Sequence, residues 1–306
     1  MAKKIIKLDK EAKPFLKWAG GKTQLISEIE NRFPESFTNS NDVVYVEPFV
    51  GSGALLFYVL NKYPNIKRAV INDVNTDLIT TYKMIKENVE ALISELRILQ
   101  EEYHQFTDDK EQRTSYFLGK RALYNDKHRE DLQIASLFIF LNKTCFNGLY
   151  RVNSKGLYNV PIGSSKTPAI LNESNLRAVS QVLQRVELFN GDYQEVLKSV
   201  KEQNVFFYFD PPYRPLSNTS SFNAYAKGDF NDTEQIRLKE FCDTISQKGF
   251  KWMLSNSDVK AANPEDNFFD DLYANYTIER VSASRAINAK GSGRGKINEL
   301  LINNYL

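Results

Sequence analysis

The sequence predicts an α/β protein whose sheet is Rossmann-like, doubly wound and mostly parallel. A short β-branched run at residues 43–47 leads into a glycine-containing loop and then into an apolar helix at residues 54–60. A second apolar run at residues 69–73 completes the β-loop-α-β order with which doubly wound sheets begin. Before the first strand, apolar residues recur at helical spacing in residues 22–29, so residues 15–21 are predicted to form a loop that feeds a helix there.

The middle of the chain differs in composition from both ends. Residues 80–123 have a helical and heavily charged pattern, whereas residues 132–172 contain no Asp or Glu. We therefore expect residues 80–172 to form an inserted, mainly helical domain, and residues 1–79 and 173–306 to form the α/β domain. After the insertion, strand patterns return at residues 186–189, 204–210 and 250–254, and an amphipathic helix is predicted before each of them. A last strand is predicted at residues 299–303.

Composition excludes several classes of protein. With 306 residues, of which 42% are hydrophobic, the chain can bury a substantial core, which is not expected of a disordered chain. The 40 Lys and Arg against 38 Asp and Glu leave a formal net charge of +2, so a surface that binds a polyanion has to be local. Cysteines and histidines show no CxxC, HExxH or HxE spacing. We therefore expect no metal, and neither a zinc deaminase nor a histidine-based hydrolase.

Two features bear on the location of the protein. The most apolar stretch, residues 134–141, is far shorter than the roughly 20 residues that a membrane helix needs. Residues 1–14 lack the apolar segment of a secretory signal. We expect a soluble, cytoplasmic protein that makes no membrane contact and exists as a monomer or weak dimer.

The loop at residues 49–53, Phe-Val-Gly-Ser-Gly, is the first candidate site. Its glycines, Gly51 and Gly53, let the backbone approach a ligand closely where a strand turns into a helix. Asp73 ends the next strand about 20 residues on, a spacing typical of a carboxylate that binds ribose hydroxyls. Because Leu56 stands where the dinucleotide fingerprint has its third glycine, nicotinamide binding is disfavoured. An ordinary glycine turn is the alternative.

The strongest pattern is Asp-Pro-Pro-Tyr at residues 210–213, directly after an apolar strand. A carboxylate at the end of such a strand faces the ligand crevice. Pro211 and Pro212 fix the backbone and remove two N–H donors, so the loop presents carbonyl acceptors. Asp210 and the Pro211 carbonyl are suited to an exocyclic amine, and Tyr213 offers a face on which a heteroaromatic ring can stack. We interpret the loop as a nucleobase site, with an ordinary Pro-Pro turn as the alternative.

Several strings of residues resemble, in the same order, the motifs of the Dam-type (D12 class) DNA adenine-N6 methyltransferases. They are FLKWAGGK, EPFVGSG, NDVN, NGLYRVN, NVP, GDY and DPPY, which begin at residues 15, 47, 72, 147, 159, 191 and 210. The resemblance covers nearly the whole chain. It implies a Rossmann-like methyltransferase fold, S-adenosylmethionine as methyl donor, double-stranded DNA as partner, and a bacterial or phage origin, in a restriction-modification system or outside one.

The resemblance also implies roles for individual residues. The residues implied at the cofactor are Trp18, Gly20, Lys22, Glu47, Phe49, Gly51, Gly53, Asp73, Asp192, Tyr193 and Asp210. Among them, Asp73 would hold the ribose hydroxyls and Asp210 would lie near the methionine end. The catalytic loop is Asp210, Pro211, Pro212 and Tyr213. The residues implied near DNA are Phe146, Asn147, Leu149, Arg151, Asn153, Asn159 and Pro161.

Basic residues supply the remaining candidates for DNA contact. Lys290 and Arg294 lie in a stretch rich in Ser and Gly, and we expect them to contact the duplex, as phosphate ligands. Arg151 is suited to a bidentate contact with O6 and N7 of guanine.

The predicted reaction moves a methyl group from S-adenosylmethionine to N6 of an adenine flipped out of duplex DNA, in a GATC-like site. Asp210 and Pro211 are expected to stabilise the attacking amine as it gains positive charge, rather than to act as a strong base. One alternative is an enzyme of the same fold that acts on RNA, cytosine N4 or a protein amide. Another is a catalytically silent DNA-binding module, against which the intact loop argues.

Overall fold

The computed structural model describes residues 11–18, 22–126, 128–216, 230–284 and 296–306. Three predicted site residues, Gly20, Lys290 and Arg294, lie outside this part of the chain. Their roles at the cofactor and at the duplex stay predictions.

The strands of the described chain form one mixed sheet of seven strands. The strands are β1 (Val43–Glu47), β2 (Ile66–Asp73), β3 (Val186–Asn190), β4 (Val205–Phe209), β5 (Lys251–Ser257), β6 (Thr277–Ser284) and β7 (Lys296–Asn303). Their order across the sheet is β3-β2-β1-β4-β5-β7-β6. β1 pairs in parallel with β2 and β4, and β4 with β5, whereas β7 runs antiparallel to β5 and β6.

The strand order reverses between β1 and β4, the two central parallel strands. Ligands of doubly wound sheets bind beyond the carboxyl ends of the strands at such a reversal. Every residue of β1 and of β4 is buried, because parallel strands inside a sheet are covered on both faces. The predicted α/β fold class, with a mostly parallel Rossmann-like sheet, is confirmed.

The α-helices of the described chain alternate with the strands or cluster between β2 and β3. They are α1 (Ile26–Glu30), α2 (Glu35–Asn39), α3 (Ala54–Lys62), α4 (Thr76–Glu87), α5 (Val89–Gln105), α6 (Lys110–Tyr124), α7 (Asp131–Thr144), α8 (Glu173–Leu183), α9 (Asp232–Gln247), α10 (Val259–Ala262) and α11 (Phe268–Leu272). Short 3₁₀ turns span Lys22–Gln24, Phe146–Gly148 and Tyr193–Lys198.

One local prediction was wrong, and one strand was missed. The segment before β4 is the 3₁₀ turn Tyr193–Lys198, and not an amphipathic α-helix. Strand β6 was not predicted, although it pairs with β7 over its whole length. Its sequence, Thr-Ile-Glu-Arg-Val-Ser-Ala-Ser, is polar enough for an edge strand to be mistaken for a loop.

By packing, the chain divides into two compact units. The first unit consists of Met1–Gly21, Gly51–Pro64 and Asp73–Gly191, and the second of Lys22–Val50, Asn65–Asn72 and Asp192–Leu306. The predicted division into an α/β catalytic domain and a recognition domain at residues 80–172 concerns function, and it stays a prediction.

The core of the first unit is built around α7. This helix carries the most apolar stretch of the sequence, and nearly all of its residues from Ala135 onwards are buried. It packs against α4, α5 and α6. Such an all-round apolar helix belongs to the interior of a bundle. Within the described ranges, no helix has the length and the apolar character needed to cross a membrane.

Candidate active site

The side chain of Asp210 is fixed by a cation and a hydroxyl of the second unit. It follows the last residue of β4 and is 22% exposed. The ammonium of Lys22, in the 3₁₀ turn before α1, lies 2.9 Å from Oδ1 of Asp210. The Ser255 hydroxyl, on β5, donates to the same oxygen at 3.3 Å. Burial raises the pKa of Asp210, although the positive charge of Lys22 acts in the opposite direction.

Tyr213 is held at both its hydroxyl and its ring. Its hydroxyl donates a hydrogen bond of 2.6 Å to Oε2 of Glu299, on β7. The Lys22 ammonium lies 4.2 Å from the ring centroid, within the range of a cation–π contact. Burial raises the pKa of Tyr213 well above the usual value, and the negative charges of Asp210 and Glu299 act in the same direction. The phenol therefore stays protonated and remains a donor.

Side chains from α9 and β5 brace the loop that follows β4. The Gln235 amide donates to the Pro212 carbonyl at 3.0 Å, and the Asn256 amide donates to Gln235 at 3.2 Å. The backbone N–H of Arg214 donates in turn to Asn256 at 3.1 Å. The Pro212 carbonyl is thus engaged in the loop itself.

The carboxylate of Asp73, in the first unit, is held by backbone donors. The N–H of Gly51 donates to Oδ2 at 3.1 Å, and the N–H of Asn75 donates to Oδ1 at 2.9 Å. Burial raises the pKa of Asp73, while these hydrogen bonds act to lower it. The carboxylate retains further acceptor positions, because each oxygen can accept more than one hydrogen bond. This fits a pair of neutral hydroxyl donors such as a ribose diol.

The glycine loop beside Asp73 requires its glycines. Gly51 and Gly53 have φ of 48° and 71°, in the left-handed region that favours glycine. A Cβ added to Gly51 would come within 2.9 Å of the Trp18 ring, and one added to Gly53 within 2.7 Å of the Tyr82 hydroxyl. The loop is therefore closely packed against aromatic side chains of the same unit.

Three residues near these carboxylates were missed by the sequence analysis. Val74, next to Asp73, is 79% exposed, which leaves an apolar surface beside the carboxylate on which a purine ring can lie. In the sequence, Val74 could have been noticed as an apolar residue between two polar residues at the end of a predicted strand. Ser255 and Glu299 reach the site only through strand pairing. The one local signal for Glu299 is an acidic residue at the start of an apolar run.

The remaining predicted cofactor residues in the second unit make contacts within that unit. Glu47 is buried and accepts a hydrogen bond of 2.8 Å from the Tyr45 hydroxyl. The rings of Phe49 and Tyr193 pack with centroids 5.1 Å apart. Asp192 accepts a hydrogen bond of 2.6 Å from Arg237 and caps the 3₁₀ turn that follows. Their predicted roles at the cofactor stay predictions.

The predicted DNA-contacting residues lie on an irregular segment after α7. Its 3₁₀ turn contains Asn147 at φ 56°, and Phe146 is 47% exposed. The Asn142 side chain supports this turn by donating to the Gly148 carbonyl at 2.9 Å. The N–H of Phe146 donates to the carbonyl of the exposed Pro161 at 2.9 Å. The structure therefore presents these side chains from a braced loop.

Arg151 and Asn153 are exposed on the same segment. The Arg151 guanidinium donates to the Asn159 side chain at 2.7 Å and to its carbonyl at 3.1 Å. Asn153 accepts hydrogen bonds from two backbone N–H groups within its own turn. Leu149 is half-buried, and its carbonyl accepts from the Tyr158 hydroxyl at 3.2 Å. Asn159 thus orients Arg151, and its own side-chain oxygen is used in that contact.

Comparison with known proteins places the chain in a family. The family model "D12 class N6 adenine-specific DNA methyltransferase" matches residues 18–287. The type II methyltransferase M.MjaIII of Methanocaldococcus jannaschii is 46% identical over 96% of this chain and 100% of its own length. A DNA adenine methylase of Haemophilus influenzae is 32% identical over 98% of this chain and 96% of its own length.

Among solved structures, the rRNA methyltransferase aviRa of Streptomyces viridochromogenes matches with a TM-score of 0.37 and 12% identity, over 92% of this chain and 84% of that chain. This likeness is too weak to bear on fold or function. The family model and the two curated relatives, in contrast, each span most of the chain. The chain belongs to the D12 class of N6 adenine-specific DNA methyltransferases.

Proposed function

We propose that the protein transfers a methyl group from S-adenosylmethionine to N6 of an adenine that has been flipped out of duplex DNA. The observation that carries the proposal is the cluster around Asp210. A carboxylate, two prolines and a tyrosine follow one another directly after a buried central strand, and Gln235 braces their loop at the Pro212 carbonyl. An exocyclic amine with two N–H donors, attached to a flat ring, matches that set of groups.

The N6 atom of adenine is a weak nucleophile because its lone pair is delocalised into the ring. Hydrogen bonds from its two N–H groups to Asp210 and to the Pro211 carbonyl favour a pyramidal nitrogen, whose lone pair is directed at the methyl carbon. These bonds strengthen as the nitrogen gains positive charge, so they stabilise the transition state more than the ground state. Both residues act by holding a fixed geometry.

The proton balance does not require a strong base. When the N–C bond forms, the carbon–sulfur bond breaks and its electron pair returns to sulfur. The methylated nitrogen then loses one N–H proton, and it is acidic enough for water to accept it. Asp210 is already paired with Lys22 at 2.9 Å, a contact that favours its charged form and opposes the rise in its pKa that burial causes. Its function is therefore to accept a hydrogen bond rather than to abstract the proton.

The groups around Asp73 fit S-adenosylmethionine, whose sulfonium supplies an electrophilic methyl group. Asp73 is held by the N–H groups of Gly51 and Asn75, with acceptor positions left for the ribose hydroxyls. Val74 supplies an exposed apolar surface beside them for the purine ring. Trp18 packs so closely over Gly51 that a side chain at this position would meet its ring.

Sequence-specific binding is assigned to the segment around Arg151. Flipping the base costs a few kcal/mol, which stacking on Tyr213, worth about 1–3 kcal/mol, offsets in part. The segment presents an exposed guanidinium that Asn159 orients, and a guanidinium is the group best suited to read guanine in the major groove. We propose a GATC-like site, on the resemblance to Dam-type enzymes. The descriptions of the matching family and of one relative, a DNA adenine methylase, support DNA as the substrate.

The direct test of the proposed reaction is Asp210→Asn. The variant keeps the size of the side chain but loses the charge that stabilises the attacking nitrogen. We expect the single-turnover rate of transfer from radiolabelled S-adenosylmethionine to duplex DNA to fall by about 10²–10³-fold. Asp271→Asn, an exposed aspartate on α11, serves as the matched control and should transfer normally. Equal rates in the two variants would remove Asp210 from the reaction.

The pH dependence of the reaction should report the ionisation of Asp210. The groups that face it are Lys22, Glu299, Ser255, Tyr208, Tyr213 and Tyr45. Burial raises its pKa, so the carboxylate loses its charge at a higher pH than an ordinary aspartate, whose pKa is about 3.9. We expect the single-turnover rate to fall on acidification well before pH reaches about 4. A flat profile down to that pH, with the protein folded, would contradict this role.

Gly51→Ala should weaken binding of S-adenosylmethionine. The new Cβ would come within 2.9 Å of the Trp18 ring at a backbone φ of 48°, so the loop has to move. We expect the affinity to fall about tenfold or more, which corresponds to about 1.4 kcal/mol in a calorimetric titration. Gly249→Ala is the control, because its φ is 78° but no atom lies within 4 Å of the added carbon. Unchanged affinity in Gly51→Ala would argue against cofactor binding at this loop.

Arg151→Ala should relax the choice of sequence without changing the affinity for S-adenosylmethionine. Loss of a bidentate guanine contact removes about 1–3 kcal/mol of discrimination at one base pair. The loss of discrimination is measured by comparing methylation rates on duplexes that are substituted at each position of the site. Arg177→Ala, an exposed arginine on α8 that pairs with Glu90 and Glu173, is the matched control. An Arg151 variant with intact sequence preference and weaker cofactor binding would refute the assignment.

A further inference from the structure

We propose that Glu299 is a positioning residue for methyl transfer, which fixes the ring of Tyr213 and shares the ammonium of Lys22 with Asp210. The inference rests on the proposed function, because Tyr213 is taken as the surface on which the flipped adenine stacks. Glu299 itself touches neither substrate nor donor in this proposal. It acts through the two side chains that it contacts.

The first argument is geometric. The backbone of Tyr213 is set by the braced proline loop, but its side chain still has two rotatable bonds. The hydrogen bond of 2.6 Å from its hydroxyl to Glu299 fixes the far end of the ring. Glu299 is a rigid support, because on β7 it pairs with Ser257 of β5 and with Val281 of β6. The plane of the ring is thereby set from both ends.

The second argument concerns charge. The side chain of Lys22 is only 6% exposed, and it lies 2.9 Å from Asp210 and 3.8 Å from Glu299. A buried ammonium needs a compensating negative charge, and here two carboxylates share it. Without the charge of Glu299, Lys22 would pair with Asp210 alone and compete more strongly with the amine for that carboxylate. Glu299 therefore leaves Asp210 available to the substrate.

The position of the Lys22 ammonium also makes the two faces of the Tyr213 ring different from each other. It lies 4.2 Å from the centroid of Tyr213, so that a cation covers one face. A purine can stack only on the other face. By holding both the hydroxyl and the ammonium, Glu299 selects which face of Tyr213 meets the base.

The test uses Glu299→Met, which keeps the length of the side chain and removes both the acceptor and the charge. We expect the single-turnover transfer rate at saturating DNA and cofactor to fall about tenfold, while the dissociation constants of both stay within about twofold of wild type. Glu299→Gln keeps an acceptor for the Tyr213 hydroxyl but lacks the charge, so it should restore only the part of the rate that depends on the hydrogen bond. The control is Glu279→Ala, on the neighbouring strand β6, which breaks an ion pair of 2.9 Å between Glu279 and Arg32. This variant should transfer methyl groups normally.

Tyr213→Phe removes the same hydrogen bond from the other side, so it tests the inference even if Glu299→Met does not fold. The double variant should be no slower than the slower single variant, because both changes break one contact. Three results would overturn the positioning role. They are wild-type rates in both single variants, additive losses of rate in the double variant, and a loss of rate in Glu279→Ala equal to that in Glu299→Met. The proposed function is tested separately, by methyl transfer in the wild-type protein and its loss in Asp210→Asn. If both are observed, the proposed function stands whatever the rates of the Glu299 variants.

Discussion

The buried ion pair between Lys22 and Asp210 is the interaction on which the candidate active site depends. Asp210 follows five buried residues of β4 and is itself 22% exposed, so water stabilises its charge only in part. The ammonium at 2.9 Å provides further stabilisation. Removal of one partner from a buried pair typically costs about 3–5 kcal/mol, because the other charge is left uncompensated. The stability of the second unit and the chemistry proposed for the Asp-Pro-Pro-Tyr loop therefore depend on the same contact, between Lys22 and Asp210.

Asp73 and Asp210 show how one residue type serves two purposes. Backbone N–H groups hold Asp73, and its neighbours are a glycine loop and an exposed valine. A side-chain cation and a hydroxyl hold Asp210, and its neighbours are prolines and a tyrosine. The first environment is suited to neutral hydroxyl donors. The second is suited to an amine that becomes positively charged as it reacts, so the surroundings rather than the residue type decide the chemistry.

Local patterns in the sequence predicted what local physics determines. β1 and β4 were predicted because strands buried on both faces read as continuous apolar runs. Asp210 was predicted because the residue after such a strand lies at its carboxyl end. The glycines of the loop follow from backbone sterics, and the structure places Gly51 and Gly53 at positive φ.

The supporting residues could not be predicted because they arrive through pairing between distant segments. Tyr213 and Glu299 are 86 residues apart, and Ser255 lies 45 residues from Asp210. No spacing rule connects such positions before the order of strands is known. The polar edge strand β6 was missed for a related reason, since only its partner β7 identifies it as a strand. The sequence thus indicated the Asp-Pro-Pro-Tyr loop but not the side chains that orient it.

The most direct measurement is a crystal structure of the protein with a duplex that contains the target adenine and with a non-reactive analogue of the methyl donor. We expect the adenine outside the helix, with N6 about 3 Å from both the Asp210 carboxylate and the Pro211 carbonyl, a hydrogen-bond distance. The purine should stack on the face of Tyr213 that Lys22 does not cover. An adenine that remains paired in the duplex, or an N6 atom bound away from Asp210, would contradict the proposed chemistry.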